Sequence, residues 1–110
     1  MAQLALNRFQ TVTLSITDSD STPYTAPAGY TAIVLYAHIT NVTTSAASFT
    51  ISHVRSSTTT EIVKDVTVPP NDAYVPLDGK LVLETNDSIK IVASANSSLK
   101  LILSILETAN

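Results

Sequence analysis

A chain of 110 residues that is 45% hydrophobic and only 14% charged is long enough for one hydrophobic core and too apolar for a disordered segment. Its formal net charge of −3 and its scattered basic residues exclude the concentrated positive patch with which proteins bind nucleic acid directly. The sequence contains no cysteine, which excludes disulfide bonds and thiolate metal sites.

Hydrophobic segments long enough for targeting or membrane insertion do not occur in the sequence. The first eight residues lack the basic start and the long apolar run of a signal peptide. The longest apolar run, residues 32–37, is far too short for a membrane helix. We therefore expect a protein that is made and kept in the cytoplasm and that has no membrane partner.

Alternating apolar and polar residues recur along the chain, whereas helical periodicity is absent over any useful length. Val12, Leu14 and Ile16, for example, alternate with serine and threonine, which is typical of a strand with one buried face. Serine and threonine make up roughly a quarter of the chain and favour extended backbone. The predicted strands are residues 9–17, 31–41, 48–55, 58–68, 73–77, 80–84, 88–95 and 99–107, with a short extended piece at 24–26.

About eight short strands at spacings near ten residues, without helices, predict an all-β antiparallel sandwich or jelly roll. Residues 1–8 are expected to form an N-terminal arm and residues 9–110 a single sandwich domain. The pairs Asp78-Gly79 and Asn96-Ser97 look like hairpin turns, which predicts that the last three strands form part of a meander.

Residues that could support catalysis or hold a metal are few. His38 and His53 could form a two-histidine site, but no third ligand follows at a suitable spacing, so we expect ordinary histidines on strand faces. Asp18 and Asp20 imitate the start of a calcium loop but lack its glycine and its later glutamate. With only two glycines, a phosphate-binding loop cannot be built. We expect no enzymatic activity, no cofactor and no bound metal.

Three tyrosines, Tyr24, Tyr30 and Tyr74, could stack on sugar rings, as in carbohydrate-binding sandwich domains. The absence of tryptophan weakens this interpretation. Tyrosines that flank a turn, as Tyr24 and Tyr30 do, more often cover the end of a core or face a neighbouring subunit. Sugar binding is therefore kept as an alternative.

Two predicted strands carry apolar residues on both faces, whereas a lone sandwich buries only one face of each strand. In the last strand, Ile102 and Leu106 lie opposite the leucine-rich face, and strict alternation in residues 31–41 places Val34 and Tyr36 on a second apolar face. Such a surface favours association with other copies of the chain, unless loops or the N-terminal arm cover it. The candidate interface residues are Leu4, Leu6, Val34, Tyr36, Ile102 and Leu106.

Five segments, spread over most of residues 9–107, carry a resemblance to a known group of proteins. They are YTAPAGYTAIVL at residues 24–35, NVT at 41–43, VKDVTVPPNDA at 63–73, DGKLVLE at 78–84 and NDSIK at 86–90. Together they resemble small structural proteins of tailed-bacteriophage virions, notably those of marine and cyanobacterial phages. The resemblance implies a non-enzymatic β-protein of the virion, assembled in the host cytoplasm, often as a homotrimer or other homo-oligomer, with partners such as the major capsid protein.

Similar β-modules occur in head decoration, neck and tail-fibre positions. The sequence has no fibrous repeat and no coiled-coil heptad, which favours a globular cement subunit over a fibre shaft. We therefore expect a capsid decoration or cement protein that clamps neighbouring capsid subunits through many weak contacts. The alternative is a neck or tail-associated structural module, or a host-adhesion module that binds carbohydrate.

Overall fold

Nine β-strands make up most of residues 6–110, the part of the chain that the computed structural model describes. They are β1 (Asn7–Ser15), β2 (Ser21–Thr25), β3 (Tyr30–Asn41), β4 (Ala47–Arg55), β5 (Thr58–Val68), β6 (Ala73–Tyr74), β7 (Leu81–Leu83), β8 (Ser88–Ala93) and β9 (Leu99–Ala109). Asn7 and Arg8 thus belong to β1 and not to an arm, and Leu4 lies outside the described residues. No helix in the described range is long and apolar enough to cross a membrane.

The strands form two antiparallel sheets that face each other. In the first sheet the order is β1-β9-β3, and the short strands β6 and β7 both pair with the far edge of β3. In the second sheet the order is β2-β8-β4-β5. Alternating residues of each sheet point into the space between them, as the period-two pattern requires. The predicted all-β antiparallel sandwich is confirmed.

The short strands β6 and β7 occupy successive positions along β3 and together replace one edge strand. β6 lies opposite Ile39 and Thr40, whereas β7 lies opposite Ala32, Ile33 and Val34. The segment between them contains a proline, which has no backbone N–H to donate to β3. Counted as one broken strand, the two complete an eight-stranded jelly roll, in which the chain alternates between the sheets except at the β4–β5 hairpin.

The predicted meander of the last three strands is wrong. β7 and β9 lie on opposite sides of β3 in the first sheet, whereas β8 lies in the second sheet. The Asp78-Gly79 turn joins two strands that pair with the same neighbour, and the chain crosses between the sheets at Asn96-Ser97. The chemistry of a turn therefore does not determine which sheet the next strand joins.

A two-residue hairpin that the sequence pattern does not mark joins β4 to β5. Arg55 and Thr58 are paired, and Ser56 and Ser57 between them have φ angles of 49° and 70°. Both residues are in the left-handed region, as a type I′ turn requires, although asparagine and glycine are the usual residues there.

The hydrophobic core lies between the two sheets and draws on both of them. Phe49 of this core packs against the partly buried ring of Tyr74. The largest wholly buried side chains are Phe49, Ile16, Ile39, Ile51, Leu83, Ile89, Ile91, Leu99, Leu101, Leu103, Ile105 and Val34. All of them except Phe49 are branched aliphatic residues, which fit the pleated faces of the strands well.

Candidate assembly surface

A row of apolar side chains crosses the outer face of the first sheet. Leu106 of β9 lies opposite Phe9 of β1 on one side and opposite Ile33 of β3 on the other, and Ile33 lies opposite Val82 of β7. Phe9 is 75% exposed and Val82 is 52% exposed. Because directly opposed side chains on antiparallel strands are in contact range, these four residues form one strip across four strands.

Tyr36 and Ile102 extend this strip along the sheet. Tyr36 lies opposite Ser104, and His38 lies opposite Ile102. The rings of Tyr36 and His38 stack, with their centroids 5.9 Å apart and their planes 10° from parallel. Tyr36 is 45% exposed and Ile102 is 37% exposed. We term the following six residues the outer apolar patch: Phe9, Ile33, Tyr36, Val82, Ile102 and Leu106.

Charged side chains are rare on the outer face of the three long strands that carry the outer apolar patch. Among the side chains that point outward from β1, β3 and β9, only Lys100 carries a formal charge. The outer face of the second sheet differs, since the residues that line the groove there include the charged Glu61 and Lys90, together with Thr50 and Ser52. A sheet face that stays in water is normally polar, whereas the centre of a protein interface is depleted of charge. The first sheet therefore presents the surface suited to contact with another protein.

A β-bulge at Leu35 decides which residues of β3 face outward. The pairing of β3 with β9 shifts register between Val34 and Tyr36, so Leu35 is an extra residue and the alternation reverses there. Val34 is wholly buried as a result, and Ile33 points outward into the patch. The prediction of Val34 as an interface residue is wrong, because strict alternation does not hold across the bulge.

The other predicted interface residues fall in three places. Tyr36, Ile102 and Leu106 lie on the outer apolar patch, and Leu6 is 71% exposed just before β1. Leu4 is outside the described residues. Their contact with a partner stays a prediction.

Sequence reasoning missed three members of the patch, namely Phe9, Ile33 and Val82. Phe9 could have been found, since it shares its face of the first predicted strand with threonines rather than with Val12 and Leu14. Val82 could not, because its place depends on the pairing of β7 with β3.

The three predicted sugar-stacking tyrosines do not form a common platform. Tyr24 is only 8% exposed and lies between the sheets. Tyr74 packs edge to face against Phe49, with centroids 5.7 Å apart, and the guanidinium of Arg8 lies 3.9 Å from the ring centroid of Tyr30. The prediction that Tyr24 could stack on a sugar is wrong, because its ring is part of the core.

A buried carboxylate, Glu107, joins the two sheets at one end of the sandwich. It is 5% exposed and accepts hydrogen bonds from Arg8 Nε at 2.9 Å and from Gln10 Nε2 at 2.8 Å. The hydroxyl of Tyr24, which belongs to the second sheet, donates to the same carboxylate. Burial, together with the hydrogen bond to Glu107, raises the pKa of Tyr24 well above its usual range.

A second buried carboxylate, Asp87, lies just before β8 and fastens it to β4. Asp87 is 2% exposed, and Arg55 donates to it from Nε at 2.9 Å and from a terminal nitrogen at 2.6 Å. His53 Nε2 lies 3.1 Å from the carboxylate, and the backbone N–H of Glu84 donates at 3.0 Å. The hydrogen bonds from Arg55 are the main reason that the pKa of Asp87 lies far below its usual range. All of these donors belong to the same chain, so the network stabilises the fold by holding β8 against β4.

The two histidines do not meet. His38 lies on the outer face of the first sheet, whereas His53 lies in the second sheet beside Asp87. Asp20 Oδ2 is 3.9 Å from Lys90 Nζ, and the backbone N–H of Asp18 donates to Oδ1 of Asn96, which lies between β8 and β9. Within residues 6–110, no group of three histidine, cysteine, aspartate or glutamate side chains could hold a metal ion.

Comparison with known proteins gives a fold but no family. No family model matches the sequence. No curated protein matches it either. Solved structures share the fold at low sequence identity.

Three of these structures come from assembled particles or oligomers. A protein of Bacillus endospore appendages, which are disulfide-linked pili, has a TM-score of 0.56 at 12% identity, over 100% of this chain and 98% of that one. A chain of the Helicobacter pylori bacteriophage KHP30 capsid has a TM-score of 0.56 at 10% identity, over 94% and 88%. The Drosophila NLP core, studied for pentamer formation and histone binding, has a TM-score of 0.51 at 13% identity, over 89% and 96%.

Proposed function

We propose that this chain is a non-enzymatic structural protein of a tailed-phage virion and that it decorates or cements the head. The observation that carries the proposal is the outer apolar patch, which offers an uncharged, largely exposed surface on one sheet only. Its partners in this proposal are copies of itself and the major capsid protein.

The patch is suited to assembly because its burial stabilises a complex. Apolar surface removed from water contributes about 25 cal/mol per Å², so covering roughly 200 Å² of this patch contributes about 5 kcal/mol before the entropy cost of association. Such a contact is weak alone, but a cement protein repeats it over a whole lattice, where avidity multiplies its effect.

The virion setting is supported by sequence and by fold. The segments at residues 24–35, 63–73 and 78–84 resemble small virion proteins of tailed phages. The fold is shared with a chain of a phage capsid, and jelly rolls recur in viral capsids. Residues 6–110 fold as one sandwich and the sequence has no fibrous repeat, which favours a cap on the head over a segment of a fibre shaft.

The rival function, a host-adhesion module that binds carbohydrate, finds less support in the geometry. A sugar platform needs aromatic rings that are exposed and coplanar with a sugar face. Tyr24 is buried, and the ring of Tyr30 is already covered by Arg8.

The test is co-sedimentation with undecorated capsids assembled from the major capsid protein encoded in the same genome. Wild-type protein should bind saturably, and Leu106→Asp should abolish binding because it places a charge at the centre of the outer apolar patch. Val92→Asp is the matched control, since Val92 points outward from a central strand of the second sheet and should leave binding unchanged. Saturable binding on a glycan array, lost with Tyr30→Ala, without any capsid binding would contradict the proposal.

A further inference from the structure

The edge strands of this fold are protected unequally. An edge strand has unpaired backbone N–H and C=O groups that can hydrogen-bond to a strand of another chain. Folded proteins prevent this pairing with short strands, prolines, bulges or charges. β2 has five residues, contains Pro23 and has a shifted register with β8. β5 has two register shifts and carries Glu61 and Lys64, while β6 and β7 have only two and three residues.

β1 is the exception among the edge strands of residues 6–110. Its nine residues pair with β9 in an unbroken register and include no proline. Its single charged residue, Arg8, forms a hydrogen-bonded ion pair with Glu107 of the same chain, so its charge does not prevent another strand from pairing with the edge. Within the described residues, β1 itself therefore has no proline, no bulge and no free charge against strand addition.

The backbone groups at the free edge of β1 can be identified from the ends of its pairing with β9. Ala109 N donates to Leu6 O at 2.7 Å, and Ile16 N donates to Leu99 O at 2.9 Å. Hydrogen-bonded and non-hydrogen-bonded pairs alternate along an antiparallel ladder, so the even-numbered residues of β1 bond to β9. The N–H and C=O groups of Asn7, Phe9, Thr11, Thr13 and Ser15 therefore point away from it.

We infer that β1 pairs antiparallel with β1 of a second copy, across a twofold axis, and joins the first sheets of two molecules into one continuous sheet. A register centred on Thr11 places Thr11 opposite its own copy and Phe9 opposite Thr13. The ten outward-pointing residues then form about ten backbone hydrogen bonds. Directly opposed threonines are favourable pairs.

Charge and symmetry favour a second copy as the occupant of this edge. Every residue whose backbone faces the edge is uncharged, so the strand does not select an acidic or a basic partner. In the register centred on Thr11, the only charged residue, Arg8, lies opposite Leu14, and no like charges meet. A twofold axis is also the commonest symmetry of homo-oligomers.

This inference goes beyond the proposed function, because it concerns the backbone edge of β1 and not the outer face of the sheet, and it holds whether or not the chain belongs to a virion. It also changes the expected stoichiometry from the trimer implied by the resemblance to a dimer or a dimer-based assembly. The outer apolar patches of the two copies would lie on the same side of the joined sheet.

A proline at Thr11 tests the pairing and leaves the hydrogen bonds between β1 and β9 in place. It removes an N–H that points away from β9, and proline is tolerated on edge strands for that reason. Loss of one donor from each copy should weaken the dimer roughly 30-fold. Thr59→Pro is the matched control: Arg55 and Thr58 close the β4–β5 hairpin as a bonded pair, so the Thr59 N–H points to the other free edge.

Sedimentation equilibrium provides the readout. Wild type and Thr59→Pro should have the mass of a dimer, or of an even-numbered assembly. Thr11→Pro should dissociate along β1 at protein concentrations roughly 30-fold higher than wild type does. A wild-type monomer or trimer, or a Thr11→Pro protein that associates as tightly as wild type, would overturn the inference.

Amide hydrogen exchange of the unmodified protein tests the same point even if Thr11→Pro does not fold. The amides of Phe9, Thr11 and Thr13 should be protected at high concentration and lose protection on dilution, whereas those of Gln10 and Val12 stay protected by β9. Fast exchange of the three odd-numbered amides at every concentration would exclude the pairing. The capsid-binding test with Leu106→Asp is separate, so either conclusion can fail without the other.

Discussion

Val34 and Tyr36, two residues apart in β3, point to opposite faces of the first sheet. In a regular strand they would share a face, but the extra residue at Leu35 reverses the alternation between them. Val34 is wholly buried and Tyr36 is 45% exposed. The bulge thus places a tyrosine on the outer apolar patch and sends the preceding valine into the core.

Val34→Ala should lower the free energy of unfolding by about 2 kcal/mol, because it removes two methyl groups from a wholly buried site. Val82→Ala makes the same chemical change at a residue that is 52% exposed, so its cost should stay within about 0.5 kcal/mol. Urea unfolding of both variants measures the difference. Equal costs would contradict the placement of the bulge.

Stability in acid should depend on Asp87. Its pKa is lowered in the folded state below the ordinary value of 3.8, so the ionised carboxylate contributes stability at neutral pH. That contribution is present above the ordinary pKa and is lost as the pH falls through the folded value. Asp87→Asn should therefore be less stable than wild type at neutral pH, and the difference should narrow between about pH 5 and pH 2.

Urea midpoints of the two proteins across this range provide the measurement. Asp18→Asn is the control, because Asp18 is exposed and its carboxylate has no hydrogen bond within the described residues. Parallel losses of stability in wild type and Asp87→Asn would show that the buried carboxylate is not the acid-sensitive group.

Stability in alkali should depend on Tyr24, whose contribution is lost as the pH rises, whereas that of Asp87 is lost as the pH falls. Its pKa is raised in the folded state above the ordinary value of 10.0, so its contribution is fully present below that pH and is lost as the pH rises through the folded value. Tyr24→Phe should lower the free energy of unfolding by about 1 kcal/mol at neutral pH, because it removes the hydrogen bond to Glu107. The variant should then lose less stability than wild type as the pH rises. Thermal unfolding above about pH 10 compares wild type with Tyr24→Phe. If the unfolding temperatures of the two proteins fall equally with pH, Tyr24 is not the alkali-sensitive group.

The β4–β5 turn should accept more favourable residues. Ser56 and Ser57 both have positive φ, which costs about 1 kcal/mol or more for a residue with a Cβ. Replacement by Asn-Gly, the preferred pair for this turn type, should raise the free energy of unfolding by about 1 kcal/mol. Chemical denaturation of Ser56→Asn/Ser57→Gly measures it, and a loss of stability would mean that the serines have another role.

The strands and the fold class follow from the sequence because both depend on local patterns. Residues 58–68 were predicted as a strand and form β5 with those bounds, and the alternation of the last predicted strand matches the burial of β9. Period-two alternation reports which residues share a face as long as the strand is regular, which is why Ile102 and Leu106 were placed correctly on the outer face.

The errors arise where distant pairing overrides the local pattern. The bulge at Leu35 lies in an apolar run, so no polar residue marks the reversal that buries Val34. The prediction of a meander is wrong because strand order depends on which sheet each strand joins. The hydrogen-bond networks around Glu107 and Asp87 could not be predicted from local patterns either. Tyr24 is 83 residues from Glu107 in the sequence, and Arg55 is 32 residues from Asp87.

Imaging of the assembled particle by cryo-electron microscopy would locate this chain and so test its proposed role on the head. Density for the sandwich should appear in many copies on the phage head, with the outer apolar patch around Leu106 covered by a neighbouring subunit. Absence of the chain from the particle, or a position in which Phe9, Ile33 and Leu106 face solvent, would contradict it.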